Sequence, residues 1–376
     1  MTDLSPLFEP FESGSLGLPN RIVMAPMTRC FSPGGVPGAD VAAYYRRRAE
    51  GGVGLIITEG TWIPHESAWN ERDAPDFHGE AALAGWRAVA NAVHEQGARI
   101  MPQLWHVGLT LKSAIRNIYD EASGIEPRHL GPSGIAGGFG VGSQPGYPSM
   151  TQRDIEEVVD AYATAAASAR TLGFDGIELH AAHGYLIDQF FWHETNRRRD
   201  RYGGNLRERA RFGAEVVAAI RQRTGPDFPI LMRISQWKQH DYDAKVAQTP
   251  AEIEQWLMPL VEAGVDMFHC SQRRYWDAEF PGSDLNLAGW VKKITGRPTI
   301  TVGSVTIGRE FLDTAFGAQT ERRSIASLMR MLERGEFDLV AVGRALIADA
   351  DWPRRLREGG VSALSPYSTE LLSDLT

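Results

Sequence analysis

The sequence predicts an α/β fold: a single (β/α)8 barrel of the TIM type, with an extended capping loop after its third strand. Three observations predict it. Eight short apolar runs recur along the 376 residues. Amphipathic segments of helical period lie between them. Each apolar run is continuous rather than alternating, as in parallel strands covered on both faces. A chain of 376 residues also suits two domains, but a barrel with insertions absorbs that length. No linker, repeat or low-complexity tract divides it, so residues 1–376 are read as one domain with its core from about 7 to 360.

The predicted strands are Ile22–Ala25, Gly54–Thr58, Ile100–Leu104, Gly176–Leu179, Ile230–Ile234, Met267–Cys270, Thr299–Val302 and Leu339–Val342. Helices are predicted between them. Ala81–Gln96 carries Leu83, Trp86, Val89, Ala90 and Val93 at three-and-four spacing and stops at Gly97. Thr151–Leu172 opens as Thr-Gln-Arg-Asp, a capping box with Asp in place of Glu, and ends at Gly173. Asn205–Arg223 follows. Pro250–Ala263 has Thr249 as N-cap and Pro250 in its first turn. Leu285–Ile294, Ser324–Leu332 and Trp352–Arg357 are shorter. A doubly wound open sheet is disfavoured, because no Gly-x-Gly-x-x-Gly follows the first strand. The glycines of Gly137–Gly142 have the wrong spacing and read as a loop. The Gly/Pro/Ser-rich segment 107–150 follows the third strand and is expected over the catalytic face.

Composition excludes several classes. The net charge of −8, with 39 basic and 47 acidic residues and no long basic run, argues against nucleic-acid binding. Two distant cysteines, Cys30 and Cys270, can build neither a disulfide framework nor a four-cysteine cluster, and both read as buried or semi-buried thiols. The N-terminus shows no signal-peptide pattern, and no apolar run reaches the roughly 20 residues of a membrane span. The expectation is a cytoplasmic protein with no membrane partner; a homo-oligomer is left open.

Chemistry in such barrels sits at the C-terminal strand ends. Those ends offer Ala25-Pro26-Met27-Thr28-Arg29, Thr58-Glu59-Gly60-Thr61, Gln103-Leu104-Trp105-His106, His180 with His183 and Tyr185, Arg233, Gly303-Ser304 and Gly343-Arg344. The last two pairs follow strands seven and eight, where barrels bind phosphate: glycine admits close backbone N–H groups and arginine adds charge. Two surface turns are the plainer reading. His180 and His183, three apart, fit a metal pair, substrate binding or backbone-bonded core histidines equally well. A metal reading needs a third ligand, for which Asp188 and Glu178 are the candidates.

Taken together, Ala25–Arg29, Thr58–Gly60, Gln103–His106, His180–Tyr185 and Thr195–Gly204 resemble the Old Yellow Enzyme family of FMN-dependent ene-reductases. The likeness runs from Leu7 to about Gly359. It implies FMN at the barrel mouth. Pro26, Met27 and Thr28 would lie along the flavin, and Gly60 would touch the ring through its backbone. Gln103 would bond the pyrimidine edge, and Arg233 would face N1 and O2. Gly303, Ser304, Gly343 and Arg344 would hold the phosphate, with Ser304 the softest of these. His180 and His183 match the pair that grips a substrate oxygen; many members have Asn second. Tyr185 matches the proton donor to the α-carbon, and Trp105 shapes the substrate pocket.

The implied activity is reduction of the activated C=C bond of an α,β-unsaturated carbonyl or nitro compound. Hydride comes from flavin N5, with NADPH or NADH as donor, and Tyr185 supplies the proton. A flavin-dependent N-demethylase or amine dehydrogenase on the same barrel is the near alternative. A metal-dependent hydrolase using His180 and His183 is the alternative from another class. Two segments depart from the family's pattern: Gln236–His240, and Gln272–Asp277 after strand six. The latter reads as a loop that recognises an acidic or cyclic substrate, or more plainly as a solvated surface loop or subunit contact.

Overall fold

The computed structural model describes residues 2–71, 73–110, 129–138, 141–308 and 322–376. Among them, eight parallel strands close a barrel. They are β1 (Ile22–Met24), β2 (Leu55–Trp62), β3 (Arg99–Trp105), β4 (Ile177–His183), β5 (Ile230–Lys238), β6 (Met267–Ser271), β7 (Thr299–Val302) and β8 (Leu339–Val342). Each pairs with its sequence neighbours, and β8 closes on β1 through Val340↔Ile22 and Val342↔Met24. The single barrel predicted from the sequence is therefore the observed architecture. Every predicted strand is present, but β2, β4 and β5 run further toward the mouth than their apolar runs do. Polar residues continue these strands, some bonded in the lumen and others, such as Gln236 and Lys238, bonded to the surrounding segments.

The principal outer helices are α1 (Ala39–Glu50), α2 (Glu80–His94), α3 (Gln152–Leu172), α4 (Arg211–Thr224), α5 (Pro250–Ala263), α6 (Leu287–Thr295), α7 (Ala326–Glu333) and α8 (Trp352–Gly359). α3 has the full reciprocal cap, Thr151 Oγ1 accepting from Asp154 N and Asp154 Oδ2 accepting from Thr151 N at 2.7 Å. The predicted helix Asn205–Arg223 is split: Asn205 caps the short turn Leu206–Arg209, and α4 starts after Ala210. α1 was not predicted: its buried stripe of Val41, Tyr44, Tyr45 and Ala49 is interrupted by the Arg46–Arg48 run, of which Arg48 shares the buried face.

The loop predicted at Gly137–Gly142 is corrected. Ile135–Gly138 and Val141–Pro145 pair as an antiparallel ribbon, in register Ile135↔Pro145 and Ala136↔Gln144. Backbone pairing, to which sequence period is blind in a glycine-rich run, builds it. Residues 111–128 and 139–140 of the capping segment lie outside the described residues.

Strand alternation sorts the lumen into layers. At the N-terminal end it is apolar: Val23, Leu55, Met101, Leu231, Met267, Ile300 and Leu339 pack with Phe11, Leu16 and Leu18. The last three come from an N-terminal hairpin, Phe11–Ser13 with Leu16–Leu18, which closes that end. Two residues further along the same faces, the lumen turns polar with Gln103, Glu178, Arg233 and His269. The outer faces of the strands meet the helices in the main core, where Trp86, Trp256 and Trp352 are fully buried.

Thr151→Ala removes one bond of the α3 capping box. It is expected to lower stability by about 1 kcal/mol, read as a shift in the urea midpoint.

Candidate active site

The polar half of the lumen begins where β4, β5 and β6 come into register. His180 lies opposite Arg233, and Arg233 opposite His269. One layer below, Glu178 accepts from Gln103 Nε2 at 2.7 Å and contacts His269 Nδ1 at 2.6 Å. Arg233 is 8% exposed. Burial pushes its pKa down, while the charge of Glu178 pulls it back up. Its Nε is buried and without a hydrogen-bond partner, as is His180 Nδ1. A buried polar atom without a partner calls for an explanation, a bound group being one.

One layer above, β4 bends. Its pairing with β5 shifts register between Ala181 and His183, which re-aims His183 across the mouth. His183 has φ +64° and Gly184 φ +88°. A left-handed conformation costs a non-glycine residue about 1–2 kcal/mol, so the surroundings must hold His183 there. Ser235 Oγ accepts the His183 N–H at 2.9 Å, and His183 Nε2 shares a hydrogen bond with Ser271 Oγ at 2.8 Å. Arg233 Nη2 also donates to Ser271 Oγ, at 3.5 Å. Ser271 thus joins the guanidinium to the imidazole. Trp237 stacks on the His183 ring, centroids 4.3 Å apart.

Tyr185 completes the group. Its ring lies 4.7 Å from His180 and 4.9 Å from Trp105, edge-on to both. His180 and His183 are 5.2 Å apart. Burial, reinforced by Arg233, holds both imidazoles well below the usual histidine range, so both are neutral. Burial pushes the Tyr185 phenol up to about 12, with a hydrogen bond from Gln239 opposing. Two neutral imidazoles and a protonated phenol are donors, suited to an oxygen that gains negative charge and to delivery of one proton.

The cofactor candidates ring the same mouth. Pro26 and Met27 are half-buried and Thr28 is exposed there. The segment is anchored by Glu59, which accepts the N–H groups of Arg29 at 2.9 Å and Cys30 at 3.1 Å and whose pKa burial raises to about 7. Gly60 is required by Trp105, whose indole a Cβ would strike. Gln103 gives one amide N–H to Glu178, which leaves its second N–H and Oε1 outside that bond.

Gly303 and Gly343 end the adjacent strands β7 and β8. Gly303 has φ +145°, and a Cβ would lie 2.6 Å from Gln272 O and 3.0 Å from the N atoms of Arg274 and Tyr275. Ser304 is left-handed at φ +52° and donates its Oγ–H to Arg273 O at 3.1 Å. Gly343 precedes the turn Arg344–Ala348, and the Arg344 guanidinium lies 5.8 Å from the Tyr367 ring centroid.

The fold thus brings every predicted site residue to one end of the barrel. It also adds residues the sequence reading did not assign: Ser271, Trp237, Ser235 and His269. Ser271 had a signal, since it is the residue at the very end of β6. The Gln272–Asp277 segment keeps Arg274 and Asp277 solvated, with side chains 43% and 50% exposed, but is anchored within the fold. Tyr275 is fully buried and bonded to Ser327, and Arg273 lies 3.9 Å from the Tyr242 ring centroid. The third metal ligands considered are otherwise engaged, Asp188 by Lys238 and Glu178 by His269. Among the described residues, no three His, Cys, Asp or Glu side chains gather closely enough for a metal ion. Cys270 is buried and Cys30 half-buried, as expected. No described helix is long and apolar enough to cross a membrane.

Residues 6–361 match the model of the NADH:flavin oxidoreductase / NADH oxidase family. The chain belongs to that family. The resemblance to Old Yellow Enzyme is borne out by the relatives. An NADH oxidase of Thermoanaerobacter brockii is 35% identical over 368 residues, covering 96% of this chain and 52% of the relative. The chain therefore spans about half of that protein's length. The structure of morphinone reductase in complex with tetrahydroNAD aligns with a TM-score of 0.77 at 30% identity, covering 97% of this chain and 93% of that one. An old yellow enzyme homologue from Zymomonas mobilis aligns with a TM-score of 0.74 at 26% identity, covering 98% and 99%.

Gly303→Ala should push the β6 loop away from β7. It is expected to lower flavin retention, measured as the flavin-to-protein absorbance ratio after dialysis, while the unfolding transition stays cooperative.

Proposed function

We propose that this protein is an FMN-dependent NAD(P)H oxidoreductase that reduces the activated C=C bond of α,β-unsaturated carbonyl or nitro compounds. One observation carries the reading. A buried, incompletely bonded Arg233 lies in register with His180, under two neutral imidazoles and a protonated tyrosine. The orphaned Arg233 Nε fits a flavin ring that becomes anionic on reduction. Pro26, Met27, Thr28, Gly60, Gln103 and Arg233 would hold the ring, and Gly303, Ser304, Gly343 and Arg344 the phosphate. Bound FMN supplies the redox chemistry, taking hydride from NADH or NADPH and giving it to the substrate's β-carbon.

The chain's own residues supply the rest. His180 and His183 each offer an N–H to the carbonyl or nitro oxygen. They bond it more strongly as charge builds there, so they stabilise the transition state more than the ground state. Trp105 and Trp237 wall the pocket and exclude water. Tyr185 gives its phenolic proton to the α-carbon. The Gln239 hydrogen bond favours the phenolate left behind, and solvent restores the proton.

The decisive experiment is spectroscopic. Purified protein should be yellow, be bleached anaerobically by NADH or NADPH, and regain colour when an enone is added. Protein that stays colourless with excess FMN would overturn the reading, as would bleaching by a methylated amine and not by NAD(P)H. Tyr185→Phe is expected to slow the enone step roughly 10²–10⁴-fold and to leave flavin reduction intact; loss of both steps together would refute the assignment. Titration of His180, His183 and Tyr185 should add no pH dependence to the enone step from about pH 6 to 9. Neither imidazole gains a proton until well below its usual range, and Tyr185 keeps its proton until about 12.

A further inference from the structure

Behind the histidine–tyrosine turn lies an ion pair that the reaction above does not use. Lys238 Nζ is 2.8 Å from Asp188 Oδ1, and both side chains are fully buried. Lys238 ends β5, and Asp188 lies in the short helix Leu186–Phe191. The other carboxylate oxygen, Asp188 Oδ2, accepts the Gly184 N–H at 2.6 Å. Gly184 is the residue between His183 and Tyr185, so the carboxylate grips the backbone that carries both.

The neighbours of Lys238 grip the same turn. Ser235 Oγ takes the His183 N–H at 2.9 Å, and the Gln239 N–H donates to His183 O at 3.4 Å. Trp237 stacks on the imidazole and donates its Nε1–H to Ser271 O at 3.1 Å. Lys238 is aligned with His183 in the sheet. Its ammonium also donates to Ser235 O at 3.4 Å and lies 5.7 Å from the Trp192 ring centroid. A buried ion pair is a weak source of stability, because desolvation offsets the attraction. What this one does is geometric: it holds two successive left-handed residues against the strand end.

We propose that Lys238 and Asp188 form a positioning pair, which fixes the His183 imidazole and the Tyr185 phenol in their working orientation through the Gly184 amide. The inference rests on the roles given above to His183 and Tyr185. Three variants of the flavin-loaded protein test it. Asp188→Ala removes the grip, and Lys238→Met strands the carboxylate. The double variant K238M/D188N restores a neutral side chain that still accepts the Gly184 N–H.

In stopped-flow, each single variant should slow the enone step about tenfold or more, the effect of displacing a reacting group by about an ångström. Flavin reduction by NAD(P)H should stay within about twofold of wild type, since neither residue is expected to touch that step. The double variant should recover most of the lost rate. If D188A does not fold, K238M against the double variant carries the comparison. Singles equal to wild type would overturn the pair, as would equal slowing of both steps or a double variant no faster than K238M. A wild-type protein that is bleached by NAD(P)H yet reduces no enone sinks the reading of the site itself. A wild type that turns over while D188A matches it sinks the pair alone.

Discussion

The charge of Arg233 inside a dry barrel is the constraint around which the rest is arranged. A guanidinium taken out of water loses several kcal/mol of hydration, which only nearby opposite charge and hydrogen bonds restore. Glu178 supplies the charge from the next strand. That carboxylate is itself held by Gln103 and His269, so three strands are committed to one cation. The compensation is incomplete: one nitrogen of Arg233 is buried without a partner.

The same cation shapes the group above it. With burial, it keeps His180 and His183 uncharged, so that they act as hydrogen-bond donors rather than as cations competing for the same anion. Through Ser271 it is linked to His183 directly. The Arg233 layer and the histidine group above it are thus one hydrogen-bonded assembly. The strain at His183 and Gly184 is the local cost of turning an imidazole across the mouth while the strand below stays in register.

Much of this was legible in the chain. Continuous apolar runs marked all eight strands, because parallel strands bury both faces. The Thr151 and Thr249 caps and the glycine stops placed three helices. Residues immediately after each strand gathered at one end, because strand ends in a parallel barrel all open on the same face. What was not legible has equally physical reasons. The stripe of α1, Val41, Tyr44, Tyr45 and Ala49, is masked by the arginines set among it. The ribbon at Ile135–Pro145 depends on pairing between two backbones, which glycine and serine do not advertise. Trp237 has no meaning, and the partners of Ser271 are undecided, until register brings β5 and β6 beside β4. Lys238 reads as one more polar residue in a charged stretch until burial pairs it with Asp188.

The order and spacing of residues alone determined the barrel, its open end, and the donors and cation found there. Each of these follows from local period or from position at a strand's end. Only the tertiary structure decided which groups face one another: the alignment of His180, Arg233 and His269, the bend that turns His183, and the Lys238–Asp188 pair beneath it. Those are facts of sheet register and burial. They arise between segments tens of residues apart, where no local pattern records which side chains will meet.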